Sequence, residues 1–467
     1  MRVKEKSMKK IKIVIFLLGL AMSIFLLLMR TPEGLTRQGQ NALSVFFFAV
    51  TMWITGALPL PVTGIAVFAL LPLLRVLPAK TTFSLFGSNA VFFILGAFIL
   101  AAAMMKTKLS TRFALHFLRG LDRSPLSLFT AVFLISAFLA FWMPEHAVAA
   151  LMLPVVLEIA GGLNLTPKKE NYGRLLFLAI AWGAIIGGVA TFLGGARNPL
   201  AVGILYENYN QTISFAGWML AVVPVVIIIL AVVWILMRIS FRIDISDVSA
   251  ARRTLTSKIK EMGRMGTAEK GTAIIILITI LSWIFLSTLL GLAVIAIIGS
   301  LLLFIFRIIT WKDIENYINW GIILMYGGAI ALGSALEITG AASWLARTFI
   351  GDKILSPYLF IFTISLASIL LTEGISNVAA VACILPVAFS LGRAFGINPI
   401  VTTFAVAVPA GLAFCLPIST PANAIAYSSG YYRVKDSLKL GIFLNIISFL
   451  IFNLMVRFYW PLIGLKP

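Results

Sequence analysis

Two pairs of short polar interruptions, each set in an apolar stretch, are where this chain could do chemistry. The first pair is Pro144-Glu145-His146 and Gly194-Gly195-Ala196-Arg197-Asn198. The second is Ser376-Asn377-Val378 and Ser419-Thr420-Pro421-Ala422-Asn423. A helix broken in mid-membrane frees backbone N–H and C=O groups, which is tolerated only inside protein or along a cavity. Converging breaks offer helix N-termini and amides to an anion, and carbonyls to a cation. Ser376, Asn377 and Thr420 add side chains that can hydrogen-bond a carboxylate or sulfate, although Ser and Thr in spans commonly bond their own backbone. Glu145, His146 and Arg197 are ionisable groups within apolar runs and are functional candidates on that ground. Glu145 and Arg197 can form an ion pair that staples two elements. Arg197, with His146, can equally serve an anion site or stand where a cation would bind, and a paired Arg still offers donors. Glu145 or His146 could carry a coupling proton. Glu373, beside Thr372, reads as a buried carboxylate satisfied by backbone amides. Glu158 and Glu337 read as solvated groups near helix ends.

The elements that must position these groups are membrane helices. Apolar residues make up 61% of the 467 positions and charged residues 12%, against about 25% charged in a soluble domain. Long unbroken apolar runs exclude a β-barrel, whose strands alternate lipid-facing and lumen-facing residues. The net charge of +20 sits mostly in short loops between spans, the cytoplasmic-loop bias of membrane proteins, and does not point to nucleic acid. Cys383 and Cys415 lie singly in apolar spans and suggest neither a disulfide nor a metal site. Lys4, Lys6, Lys9, Lys10 and Lys12 precede the run from Ile13 to Met29, which reads as an uncleaved first helix with a cytoplasmic N-terminus.

Loop charges then give about eleven transmembrane helices and two re-entrant hairpins. The spans fall near 11–29, two within 41–77, 89–105, 174–206, 214–237, 271–289, 291–309, 320–340, 399–427 and 441–463. The hairpins, about 126–163 and 356–396, each have basic segments on both flanks or a break at their middle. The C-terminus falls outside. Residues 1–237 form a first repeat, 238–270 a basic cytoplasmic linker and 271–467 a second repeat. Gly96 aligns with Gly327, Pro144 with Ser376 (each with a proline ten residues on, Pro154 and Pro386), and Asn198 with Asn423. The matched spans run in opposite directions, so the repeats are inverted, as in secondary transporters that bind substrate at the breaks.

At these breaks the chain resembles the divalent anion/sodium symporter family. Leu371-Thr-Glu-Gly-Ile-Ser-Asn-Val-Ala is similar to the family's second hairpin tip, and Leu416-Pro-Ile-Ser-Thr-Pro-Ala-Asn-Ala to its broken helix. The resemblance spans roughly 40–460. It implies a homodimer with a scaffold domain and an elevator-like transport domain, and a dicarboxylate, citrate or sulfate held between the hairpin tips with sodium beside each. Carried over, Asn377, Val378, Thr420 and Pro421 would touch substrate. Thr372, Asn377 and the carbonyls of Ile375 and Ser419 would hold sodium. The first half departs from the pattern: Glu145, His146 and Arg197 replace small polar residues, and a guanidinium repels sodium. That site is expected to be lost or filled by Arg197.

The sequence thus points to an all-α secondary carrier for small anions, sodium-coupled at one site or working as an exchanger. A proton-linked cation antiporter using Glu145, His146 and Glu373, or a non-transporting membrane sensor, are the competing readings. No Walker A motif or His-Glu-x-x-His is present, and no enzyme or cofactor is expected. Membrane lipid is the remaining expected partner.

Overall fold

The computed structural model describes residues 2–350 and 356–467, with the side chains of 2–10, 346, 349 and 350 left aside. Met1 and the side chains of Lys4, Lys6, Lys9 and Lys10 therefore lie outside the described residues. The first half contains α1 (Arg2–Leu28), α2 (Arg37–Thr55), α3 (Leu60–Leu73), α4 (Ala79–Ser84), α5 (Asn89–Lys106) and α6 (Leu109–Gly120). It continues with α7 (Pro125–Trp142), α8 (Glu145–Gly162), α9 (Asn171–Gly187), α10 (Arg197–Tyr209) and α11 (Phe215–Ser240). After α12 (Ser249–Met262) come α13 (Thr267–Leu290), α14 (Leu292–Ile305), α15 (Trp311–Tyr317), α16 (Trp320–Ile338) and α17 (Ala341–Ile350). The chain ends with α18 (Pro357–Gly374), α19 (Asn377–Ala394), α20 (Pro399–Ala407), α21 (Pro421–Ser428) and α22 (Val434–Phe458). Among the described residues, ten helical segments are long and apolar enough to cross a membrane, and no strand occurs.

Local sequence explains where the hairpins begin and turn. Ser124-Pro125 and Ser356-Pro357 open α7 and α18, with the serine hydroxyl accepting from the amide of Ser127 (3.2 Å) and Leu359 (3.2 Å). Proline at the first helical position lacks only an N–H that would be unpaired there anyway. Both hairpins turn over two residues, Met143-Pro144 and Ile375-Ser376, in extended conformation or close to it. α8 and α19 then run 18 residues each, as do α7 and α18, while α3 and α14 run 14. In each of these pairs the second helix starts 232 residues after the first.

The starts of α5 and α16, 231 residues apart, keep Gly96 on Gly327; the 232 spacing of the other pairs places it on Gly328, one residue beyond. The packing agrees: Gly96 of α5 lies against Ala296 of α14, and Gly328 of α16 against Gly64 of α3. Ala296 follows Gly64 by the same 232. In both contacts the backbones approach too closely for an added methyl, the close packing that small residues permit between membrane helices.

Other expectations need adjusting. The sequence puts the break of the helix at 399–427 at Ser419–Asn423. Helix α20 instead stops at Ala407, a single 3-10 turn covers Pro409–Gly411, and helix resumes only at Pro421. The earlier break opens at 188–196 and closes where α10 begins. Helix α22 starts at Val434, so Lys435 and Lys439 belong to it and not to a loop before residue 441. Glu337 is not simply solvated: Arg393 approaches it at 2.5 Å and Ser390 donates to it at 3.3 Å. Helix α12 lies within the linker, where Lys258 pairs with Glu158 at 2.7 Å and Arg252 with Asp122 at 3.1 Å.

Candidate functional site

The tips of the two hairpins meet. Glu145 is the first residue of α8 and Asn377 the first of α19, so both side chains leave from helix N-termini. The Asn377 amide donates to Glu145 Oε1 at 3.4 Å, and Arg197 Nη1 donates to Glu145 Oε2 at 3.1 Å. All three residues are buried. Glu145 therefore connects the second hairpin tip to the broken helix of the first half. The ion pair anticipated from sequence is present, and the link to Asn377 was not anticipated.

Arg197 occupies the centre of this arrangement. Its Nε and Nη2 are buried with no hydrogen-bond partner. A Cβ at Gly195 would meet the guanidinium from its own break, and one at Gly411 would meet it from the opposite half. Only glycines leave it room. The Tyr326 hydroxyl of α16 is also buried without a partner. Unpaired buried donors of this kind are costly, and each calls for an explanation.

The second-half tip carries a different chemistry. Thr372 Oγ1 lies 2.8 Å from Asn377 Oδ1 and 2.9 Å from the Ala410 carbonyl. One hydroxyl proton cannot serve both acceptors. The result is a buried cluster of three oxygens. Ile375 is buried at the turn, and Ser419 is buried with its hydroxyl donating to the Leu416 carbonyl at 2.6 Å. Thr420 caps α21, accepting from Asn423 N at 3.1 Å, whereas Pro421 is exposed. His146 and Val378 occupy the matching second positions of α8 and α19, both half-buried.

Asn198 and Asn423 hold the two unwound stretches in the same way. Asn198 donates to the Gly188 carbonyl at 3.1 Å and Asn423 to the Ala413 carbonyl at 3.0 Å, in each case ten residues back. The second stretch has an additional clamp. Glu373 accepts from the amides of Phe414 (2.8 Å), Cys415 (2.9 Å) and Leu416 (3.2 Å), and from Asn445 Nδ2 of α22 at 2.7 Å. The sequence reading of Glu373 as amide-satisfied agrees with this. Replacing it with Gln puts an NH2 where an acceptor is needed, so Glu373→Gln is expected to lose about 1–3 kcal/mol of stability. An unchanged melting temperature in detergent would show that the carboxylate does not hold the break.

Sequence reasoning missed the Ala410 carbonyl, Gly411 and Asn445. Pro409 and Gly411 in an apolar helix, and Asn445 in the apolar middle of α22, were the available signals.

A family model described as "Sodium:sulfate symporter transmembrane region" matches residues 10–465. The chain belongs to that family. Its members are transporters and not enzymes, and this chain is a multi-pass membrane protein of that kind. It is 30% identical to the "Sodium-dependent dicarboxylate transporter SdcS" of Staphylococcus aureus (strain NCTC 8325 / PS 47), over 98% of this chain and 93% of the relative. The protein of the same name from Staphylococcus saprophyticus is 29% identical over 98% and 93%. The fold of this symporter-family chain is also similar to the Alcanivorax borkumensis YdaH transporter. That crystal structure matches with a TM-score of 0.52 at 14% identity, covering 81% of this chain and 86% of the other.

Proposed function

We propose that this carrier moves small anions of the dicarboxylate or sulfate kind, with the anion bound between the two hairpin tips. The observation that carries the proposal is Arg197: a buried guanidinium held at 3.1 Å by Glu145, with Nε and Nη2 left over beside Gly411. Two free donors in one plane suit a carboxylate or sulfate edge. Asn377, Val378, Thr420, Pro421 and His146 complete the proposed anion surface. The name of the relatives at 29–30% identity, sodium-dependent dicarboxylate transporter, supports a dicarboxylate.

Sodium, as co-substrate, takes the second-half cluster of Thr372, Asn377 and the carbonyls of Ile375 and Ser419, to which we add Ala410. Hard cations favour such all-oxygen sets. Beside the first tip, Arg197 supplies the positive charge that a second sodium would otherwise bring, and its field disfavours one there. Coupling therefore runs through one sodium, or the protein exchanges anions. We read the 232-residue spacing of matched helices as two inverted repeats, 1–237 and 271–467 around a 238–270 linker. A scaffold and an elevator-like transport domain, a homodimer, a cytoplasmic N-terminus and an outer C-terminus belong to the same proposal.

Proteoliposomes test it directly. Labelled succinate and sulfate should enter in exchange for the same anion inside, with a hyperbolic and not a sigmoidal dependence on sodium, or none. Collapse of a sodium or proton gradient without anion movement would favour a cation antiporter using Glu145, His146 and Glu373. Movement of neither would leave a sensor.

A further inference from the structure

A second site lies away from the hairpin tips. A cavity of about 760 Å³ opens where the start of α9, the end of α11 and the start of α22 come together. Its volume falls in the range of roughly 300–1,000 Å³ typical of ligand sites. Arg174, Lys435 and Lys439 line it together with one acidic residue, Asp436, leaving an excess of two positive charges. Arg174 is fixed in place: Nη1 donates to Asn171 Oδ1 at 3.1 Å and Nη2 to the Lys168 carbonyl at 2.8 Å. Its Nε has no hydrogen-bond partner, and Asp436 Oδ2 stands 4.0 Å away, too far to accept from it. Asp436 is already engaged by the Arg433 amide at 2.8 Å. The guanidinium charge is thus held in a fixed position beside two lysines.

The remaining wall is apolar. Ile442 and Phe443 line the same cavity and are exposed, 47% and 58%. They lie one turn further along α22, a helix of 25 residues that is long and apolar enough to span. The cationic end therefore sits at a membrane boundary and the apolar end runs toward hydrocarbon. We infer that this cavity binds an anionic phospholipid, with the phosphate on Arg174, Lys435 and Lys439 and an acyl chain along Ile442 and Phe443. Basic pockets between spanning helices recognise such headgroups, whereas inorganic phosphate would leave the apolar wall unused. The site is independent of which anion the carrier moves.

The test uses delipidated protein in detergent, titrated with phosphatidylglycerol, phosphatidylcholine or inorganic phosphate. Melting temperature and native mass spectrometry give the readout. Phosphatidylglycerol should bind and stabilise, and the other two should not. A Lys435→Gln/Lys439→Gln variant should bind it about 25-fold more weakly, at roughly fivefold per basic side chain near the surface. Both lysines are exposed, so folding should survive, and circular dichroism checks that it does. Equal stabilisation by phosphate at the same concentration would overturn the lipid assignment. Equal binding of phosphatidylcholine, or an unchanged affinity in the double variant, would overturn the role of the charges.

Discussion

An Asn377→Ala carrier is expected to fold, insert and fail to transport. The amide has two buried partners on different elements: it accepts from Thr372 at 2.8 Å and donates to Glu145 at 3.4 Å. Alanine removes one oxygen from the proposed sodium cluster and one donor from Glu145, while Thr372 keeps the Ala410 carbonyl. Every such loss costs roughly 1–3 kcal/mol. At 1.4 kcal/mol per factor of ten, the two together imply a drop in transport of at least about thirtyfold. Uptake is compared at matched protein levels, with a melting curve to exclude gross unfolding. Normal uptake by the variant would remove Asn377 from the site altogether.

The second large effect is on stability. Glu145→Gln should destabilise the protein by about 3–5 kcal/mol, because it leaves the Arg197 guanidinium buried and uncompensated. Glutamine keeps the size and one acceptor, so packing changes little and the missing charge dominates. Arg197→Met in the same chain removes the orphaned charge, and the double variant should recover most of the loss. Burying neither charge is often neutral or better than burying a pair. A thermodynamic cycle over the two single variants and the double isolates the coupling. The double variant should remain transport-dead if Arg197 binds the anion. Recovered transport together with recovered stability would reduce the pair to a staple between α8 and α10.

Much of this architecture was legible before any coordinates. Ser124-Pro125 and Ser356-Pro357 announce two helices, and Pro144 and Ser376 announce two turns, so both hairpins lie within two residues of where the sequence put them. These are local signals, each set by one residue's backbone geometry or capping group. Five helices escaped for a related reason. α4, α6, α12, α15 and α17 carry basic residues at or near their ends and no long apolar run, so they read as charged loop. The contact between Glu145 and Asn377 was not legible at all. It joins positions 232 apart, and only the packing of one hairpin against the other brings them within reach. The register of Gly96 slipped for want of a constraint: Gly327 and Gly328 adjoin, and only the contact with Gly64 separates them.

The Arg197 guanidinium has a consequence for the membrane voltage. A sodium ion that binds beside the substrate is released with it on the far side, and its charge is spent once per cycle. In an elevator-like carrier, a charge fixed to the moving domain would make the crossing and then make it back. Over a complete turnover its net electrical work would be zero, whereas a released ion is worth roughly 2.3 kcal/mol per 100 mV. The carrier would therefore move one positive charge fewer per dianion than one with sodium at both tips. Glu145, 3.1 Å from Arg197, would make the same journey, so the pair would return with no net charge and the empty step would be largely blind to the potential.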